Sequence, residues 1–182
     1  RRLGFPLSLK WPNDLLLNER DKVGGLLLEA RNGETLAGLG VNLAECPPAA
    51  ALRADRATPA AVLLPGHARV ASPGAAGESS VCEGEEPLAP FALWRHLVSA
   101  AILEYSHSVA GQSLTKALAG CDRLLAWKGR AVVLTEADGS SISGFCQGLG
   151  QNGGLLLRRA DGDLQEYFSG SLSLAASPVL SG

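Results

Sequence analysis

The sequence predicts an α+β fold, in which a mixed, mostly antiparallel sheet is packed by helices and followed by a small β-barrel. Three observations carry this. Short apolar runs alternate with turn residues over residues 7 to 43, helical spacing takes over between residues 90 and 125, and period-two alternation with evenly spaced turns returns from residue 131.

Taken in order, Leu7 to Trp11 and Leu15 to Leu17 flank the bend Pro12-Asn13-Asp14. Proline fixes φ there, and the two short polar side chains can bond to nearby backbone. Val23 to Glu29 and Leu36 to Val41 are the next strands, joined through Asn32-Gly33, a pair that tolerates the positive φ of a tight hairpin. Residues 45 to 87 change character: Pro47-Pro48, an Ala-rich stretch, Pro73-Gly74 and an acidic run predict mostly loop, with a short helix near Ala60 to Leu64. Phe91, Trp94, Leu97, Val98, Ala101, Ile102 and Tyr105 then recur at helical spacing after Pro90, predicting a helix over 90 to 109 whose stripe is core. A second helix is expected from Leu114 to Leu125, and a domain boundary near Ala126 separates residues 1–126 from residues 127–182. Beyond it, strands at Ala131 to Thr135, Ser141 to Gly148, Leu155 to Arg159, Leu164 to Phe168 and Ser171 to Leu174 are set apart by Asp138-Gly139, Asn152-Gly153 and Asp161-Gly162. Closing such strands into a barrel removes exposed edges.

Composition narrows the functional classes. With 182 residues, a formal net charge of −2 and 46% apolar residues, the chain has room for one or two packed domains. The near-zero net charge argues against a broad basic surface for nucleic acid, and with no apolar run of about 18 residues and no secretory core a cytoplasmic address is expected. Cys46, Cys82, Cys121 and Cys146 form no C-x-x-C pair, and His67, His96 and His107 stand at no metal-ligand spacing from them, which predicts reduced thiols. The sequence contains no methionine, not even an initiator, and so reads as processed or partial, with essential residues expected upstream.

Chemistry concentrates in three clusters: Lys10-Trp11-Pro12-Asn13-Asp14, then Lys22-Val23-Gly24-Gly25 running to Glu29, then Gly38-Leu39-Gly40-Val41-Asn42. Each has a plain structural explanation: a lysine beside a strand is usually solvated, and Gly-x-Gly in a strand usually marks a bulge or close packing. Gly38-Leu39-Gly40 also lacks the third glycine and following helix of a dinucleotide-binding turn.

Together and in this order, the clusters resemble the biotin–protein ligase family, whose catalytic domain carries K-W-P-N-D, K-x-x-G-x-L-x-E and G-x-G-x-N. Trp127-Lys128-Gly129 resembles the opening of that family's small Src-homology-3-like barrel, and the likeness spans nearly everything outside residues 45 to 87. The fold this implies is the C-terminal part of a class II synthetase-like catalytic domain followed by the barrel. The activity it implies is a ligase using ATP, biotin and Mg2+: biotinyl-AMP forms, and a lysine of a biotin carboxyl carrier protein then takes the biotin. The first step joins two anions, so it needs cations and backbone donors.

On the matching positions, Lys22 corresponds to the lysine that contacts biotin and its activated carboxyl, against the alternative of an exposed hairpin lysine beside the turn Asn18-Glu19-Arg20-Asp21. Asp14 corresponds to a residue holding magnesium or orienting the attacking amine. Asn13 either bonds the nucleotide or caps the bend, and Lys10 either faces phosphate or is a strand lysine whose charge is solvated. Gly25, Gly38 and Gly40 match positions where backbone passes against the biotin ring, where a Cβ would occupy ligand space. Asn42 matches an adenine-facing asparagine, and Glu29 a supporting rather than catalytic residue.

The family's Gly- and Arg-rich loop precedes K-W-P-N-D, whereas only nine residues precede Lys10, so weak or absent ligand binding is expected of this chain alone. Two competing readings remain: a lipoate or octanoyl transferase, which shares the core fold, and a non-catalytic module docking a carrier protein. Family members are monomers or homodimers, and no membrane or nucleic-acid partner is expected of this segment.

Overall fold

The computed structural model describes residues 5–47, 58–63, 90–109 and 114–175. Two antiparallel sheets and two helices make up these residues, so the α+β class holds. The first sheet is a meander of β1 (Leu7–Lys10), β2 (Asp14–Leu17), β3 (Asp21–Arg31) and β4 (Glu34–Val41) in that order. Asn32 and Gly33 take φ of 52° and 81° at the β3–β4 turn, the left-handed pair a tight hairpin demands. Every named strand pair is antiparallel; among the described residues, parallel pairing is confined to isolated bridges of Leu9 with Leu125 and Lys22 with Ala60.

Alternation in β1 and β2 sorts the side chains onto two faces. Leu7, Leu15 and Leu17 lie on one, where they pack with Val23, Leu63 and Leu93. Ser8, Lys10, Asp14 and Leu16 lie on the other, through the pairs Ser8 with Leu16 and Lys10 with Asp14. A bulge between Leu15 and Leu16 changes the register against β3, so that Leu15 sits opposite Gly24 but Leu16 opposite Lys22. The extra residue, Val23, turns into the first face's core at 1% exposure.

Residues 58–63 are not helical, contrary to the helix expected near Ala60. Their backbone groups are engaged elsewhere: Lys22 N donates to Pro59 O, Ala61 N to Lys22 O and Leu63 N to Asn42 O, so the segment continues beside β3 where β4 ends. The rest of the low-complexity stretch lies largely outside the described residues.

Helix α1 (Pro90–Val109) has the predicted limits, but its apolar stripe is core only in part among the described residues. Leu93 and Leu97 pack against the first sheet, whereas Phe91, Trp94, Ile102 and Tyr105 are exposed. Trp94 stacks on Phe91 at 5.8 Å instead of entering the core. No helix among the described residues is long and apolar enough to cross a membrane.

After α2 (Leu114–Arg123) comes a five-stranded antiparallel sheet of β5 (Ala131–Thr135), β6 (Ser141–Leu149), β7 (Leu155–Arg158), β8 (Leu164–Tyr167) and β9 (Ser171–Leu174), ordered β8-β7-β6-β5-β9. Its buried positions alternate as the sequence required: Val132 and Leu134, Leu155 and Leu157, then Leu172. The boundary near Ala126 divides the two sheets but not the core. Trp11, in the turn between β1 and β2, and Leu16 of β2 share one cluster with Leu125, Ala126, Trp127 and the second sheet's interior.

Candidate functional site

Three neighbouring strands supply the site. Because Asp14 pairs with Gly25 and Leu16 with Lys22 across the Val23 bulge, Asp14, Lys22 and Gly25 share one face of the sheet. Without the bulge, Lys22 and Gly25, three residues apart, would point to opposite faces. A Cβ on Gly25 would stand 3.2 Å from Asn13 O, 3.4 Å from Asp14 Oδ1 and 3.8 Å from Lys22 Cε. The missing side chain therefore leaves a floor beside the ion pair.

That floor belongs to an open groove of about 440 Å³ lined by Asn13, Asp14, Lys22, Gly25, Leu26, Leu27, Gly38, Leu39 and Gly40. Six of the residues singled out from the sequence thus meet at one surface: Asn13, Asp14, Lys22, Gly25, Gly38 and Gly40. Gly40 sits opposite Gly25 and Gly38 opposite Leu27, and a Cβ on Gly38 or Gly40 would meet nothing closer than 3.9 Å. The groove is flat and apolar along the glycines and leucines and charged at one end.

At the charged end, Asp14 is held by two ammonium groups. Its Oδ1 pairs with Lys22 Nζ at 2.5 Å and its Oδ2 with Lys10 Nζ at 3.3 Å. Two cations on one carboxylate leave a local excess of positive charge, which suits an anionic ligand. The two lysines differ sharply in access, with side-chain exposures of 41% for Lys22 and 5% for Lys10.

Lys10 and Asn42 do not line the groove. The Lys10 charge is not solvated either: it donates to Thr58 Oγ1 at 2.8 Å and lies 5.8 Å from the centre of the Trp127 ring. A buried charge requires such partners. Asn42 Nδ2 donates to Ala61 O at 3.1 Å and Lys22 O at 3.4 Å, and its backbone N–H donates to Val23 O, so its amide donors hold residues 58–63 against β3. Asn13 reaches across to β3 rather than capping its own bend, its Nδ2 donating to Leu26 O at 2.8 Å. Glu29 is exposed, on the part of β3 beyond the groove.

No group of three metal-ligating side chains occurs among the described residues, and both Asp14 oxygens face lysines.

Sequence reasoning missed Thr58, which lies 48 residues from Lys10 in a stretch without a motif. It named Trp127 only as the opening of the second sheet. Trp127 adopts φ of 64°, places its ring under Lys10 and donates Nε1–H to Glu19 O at 2.8 Å. It thereby touches both the first strand and the turn that precedes Lys22.

No protein-family model matches the chain. The Biotin--[acetyl-CoA-carboxylase] ligase of Paracoccus denitrificans is 43% identical over 61 residues, which is 31% of this chain and 25% of that protein. The crystal structure of biotin protein ligase from Aquifex aeolicus superposes with a TM-score of 0.67 at 22% identity, over 95% of this chain and 66% of that one. The chain resembles biotin–protein ligases in sequence and in fold. The Aquifex aeolicus protein in complex with biotin and ATP has a TM-score of 0.62 at 24% identity, over 94% of this chain and 62% of that one. This chain thus spans a quarter of the length of its curated relative and about two thirds of that of the solved biotin–protein ligases.

Proposed function

We propose that this chain carries part of the active site of an ATP-dependent biotin–protein ligase, and that its groove takes biotin while Lys22 meets the biotin carboxyl and the α-phosphate. The observation that supports this best is the glycine-floored groove ending at a carboxylate held by two lysines. A flat ring needs bare backbone beside it, and a carboxylate attacking a phosphate needs an accessible cation.

In the first step a biotin carboxylate oxygen attacks the α-phosphorus of ATP, supplied as its magnesium complex. A C–O–P anhydride forms, the bond from the α-phosphorus to the bridging oxygen breaks, and pyrophosphate leaves with the electron pair. Lys22, half-exposed at the groove's end, offsets the repulsion between the two anions. In the second step an ε-amine of a carrier-protein lysine attacks the carbonyl carbon. AMP leaves with the electron pair of the acyl C–O bond, and the amine gives up a proton to a base. Asp14, the carboxylate lining the groove, orients the amine. On this reading Asn13, at the groove, faces the nucleotide, Asn42 acts through the segment 58–63 that its amide donors hold, and Lys10 adds positive charge behind Asp14. The second sheet is read as the Src-homology-3-like module, and the cytoplasm, where ATP and carboxylases meet, as the compartment.

The test is biotin-dependent release of pyrophosphate from ATP by the full-length gene product. Lys22→Ala is expected to lower the rate by about 100-fold or more at saturating ATP. A folded wild-type protein that releases none, or that prefers lipoate to biotin, overturns the reading.

A further inference from the structure

The clearest feature left without a role is the buried lysine behind the site. Lys10 is a full positive charge at 5% side-chain exposure, on the same face as Asp14 but not on the groove. A lysine that contacted ligand phosphates would need a path to them, and here Thr58, Trp127 and Asp14 surround the ammonium. Burying a charge is costly unless it is paired, so its retention calls for a function that only the charge supplies.

The division of Asp14 between two cations provides one. Each lysine holds a different oxygen: Lys22, exposed, takes Oδ1, and Lys10, buried, takes Oδ2. An isolated carboxylate beside Lys22 would compete with any anionic ligand for that ammonium, because separating the pair would leave Asp14 uncompensated at 16% exposure. With Lys10 fixed on the other oxygen, Lys22 can leave and Asp14 remains paired. We propose that Lys10 is a positioning residue whose buried charge keeps Asp14 neutralised, so that Lys22 is free to move from Asp14 to the carboxyl and phosphate of the ligand.

Trp127 and Thr58 complete the device. The ring attracts the ammonium through its negative face, and the hydroxyl accepts one of its three protons, so the lysine cannot swing out with Lys22. Trp127 comes from the stretch leading into the second sheet, whose interior shares a core with Trp11 and Leu16. The second sheet therefore contributes to the site indirectly, by seating a lysine of the first. The part played by ligand rests on the ligase reading; the hold of Lys10 on Asp14 does not.

The experiment keeps the two apart. The protein without ligand is treated with limiting acetic anhydride, and acetylation of Lys22 is followed by peptide mass spectrometry, with Lys116 and Lys128 as internal references. Lys10→Gln keeps a donor for Thr58 and loses the charge. It is expected to slow Lys22 acetylation about five-fold, because Lys22 becomes the sole cation on Asp14. Lys10→Met, which suits the Trp127 ring, should do the same, whereas Lys10→Arg should react as wild type. The double variant Lys10→Gln with Asp14→Asn should recover or exceed the wild-type rate, since the carboxylate that captures Lys22 is gone. A merely structural role predicts no recovery in the double variant. Unchanged Lys22 acetylation in a folded Lys10→Gln or Lys10→Met protein overturns the proposal, as does failure of both neutral variants to fold. The expected pattern without any biotin-dependent pyrophosphate release would support the hold of Lys10 on Asp14 and remove the ligase reading alone.

Discussion

Glycine at position 24 and glycine at positions 38 and 40 look alike in the sequence and differ in physical cause. A Cβ on Gly24 would fall 2.3 Å from Gly40 O, a backbone atom that cannot swing aside, so the residue exists to let β3 and β4 approach. At Gly38 and Gly40 a Cβ has room in the fold and would project into open space along the groove. Gly24→Ala is therefore expected to lower stability by about 2 to 3 kcal/mol in urea titration, with β3 and β4 forced apart. Gly38→Ala and Gly40→Ala should change stability by less than about 1 kcal/mol while weakening biotin binding to the full-length gene product about ten-fold or more by calorimetry. Groove glycines that prove as destabilising as Gly24 would make all of them packing residues. The motif order allowed Asp14, Lys22, Gly25, Gly38 and Gly40 to be grouped from the sequence, because all lie on adjacent strands within a few tens of residues. Thr58 could not be found that way: its contact with Lys10 spans 48 residues and carries no periodic or motif signal.

Elements were legible where a period and a stop coincided. The strands Ala131–Thr135 and Ser171–Leu174 have the limits read from alternation, with Gly129 and Asp138-Gly139 bracketing the first and Gly170 opening the second. The segment 58–63 was misread because its apolar residues fit a helix locally, while its backbone groups pair with Lys22 and Asn42. Tertiary pairing overrode propensity there. The helix α2 is held to β6 by a contact no pattern announces. Asp122 accepts a hydrogen bond from Leu149 N at 2.9 Å and pairs with Lys128. Partial burial acts to raise the Asp122 carboxyl, but the Lys128 ammonium and the Leu149 N–H outweigh it and hold the group below the ordinary carboxylate range. A carboxyl depressed in the folded state stabilises it above the unfolded value, and that contribution disappears as pH falls through the folded one. Asp122→Asn should thus cost about 1 to 2 kcal/mol at pH 7. The deficit relative to wild type should shrink once the pH drops below 3.8, the group's ordinary value. Parallel denaturation curves at pH 7 and pH 3 would check this; a deficit of equal size at both would mean that the charge is not what ties α2 to the sheet.

On the scale of the whole molecule, one apolar core joins residues of both sheets. Turn spacing and the switch of period put a boundary near Ala126, and the two sheets do fall on either side of it. What alternation cannot disclose is which apolar face meets which. Leu16 belongs to the first sheet by pairing and to the second sheet's core by contact, and Leu125, just before the boundary, forms a parallel bridge to Leu9. The Trp127 hydrogen bond to Glu19 adds a further tie. Elements that share one core should unfold together. Leu16 is fully buried, so Leu16→Ala is expected to cost about 2 to 5 kcal/mol. Hydrogen exchange should then speed up at β5 and β7 amides as much as at β2 and β3, although the substitution lies in the first sheet. Faster exchange confined to β1–β4, with the second sheet as protected as before, would mean that the sheets are independent and that the second sheet cannot be what seats Lys10 behind Asp14.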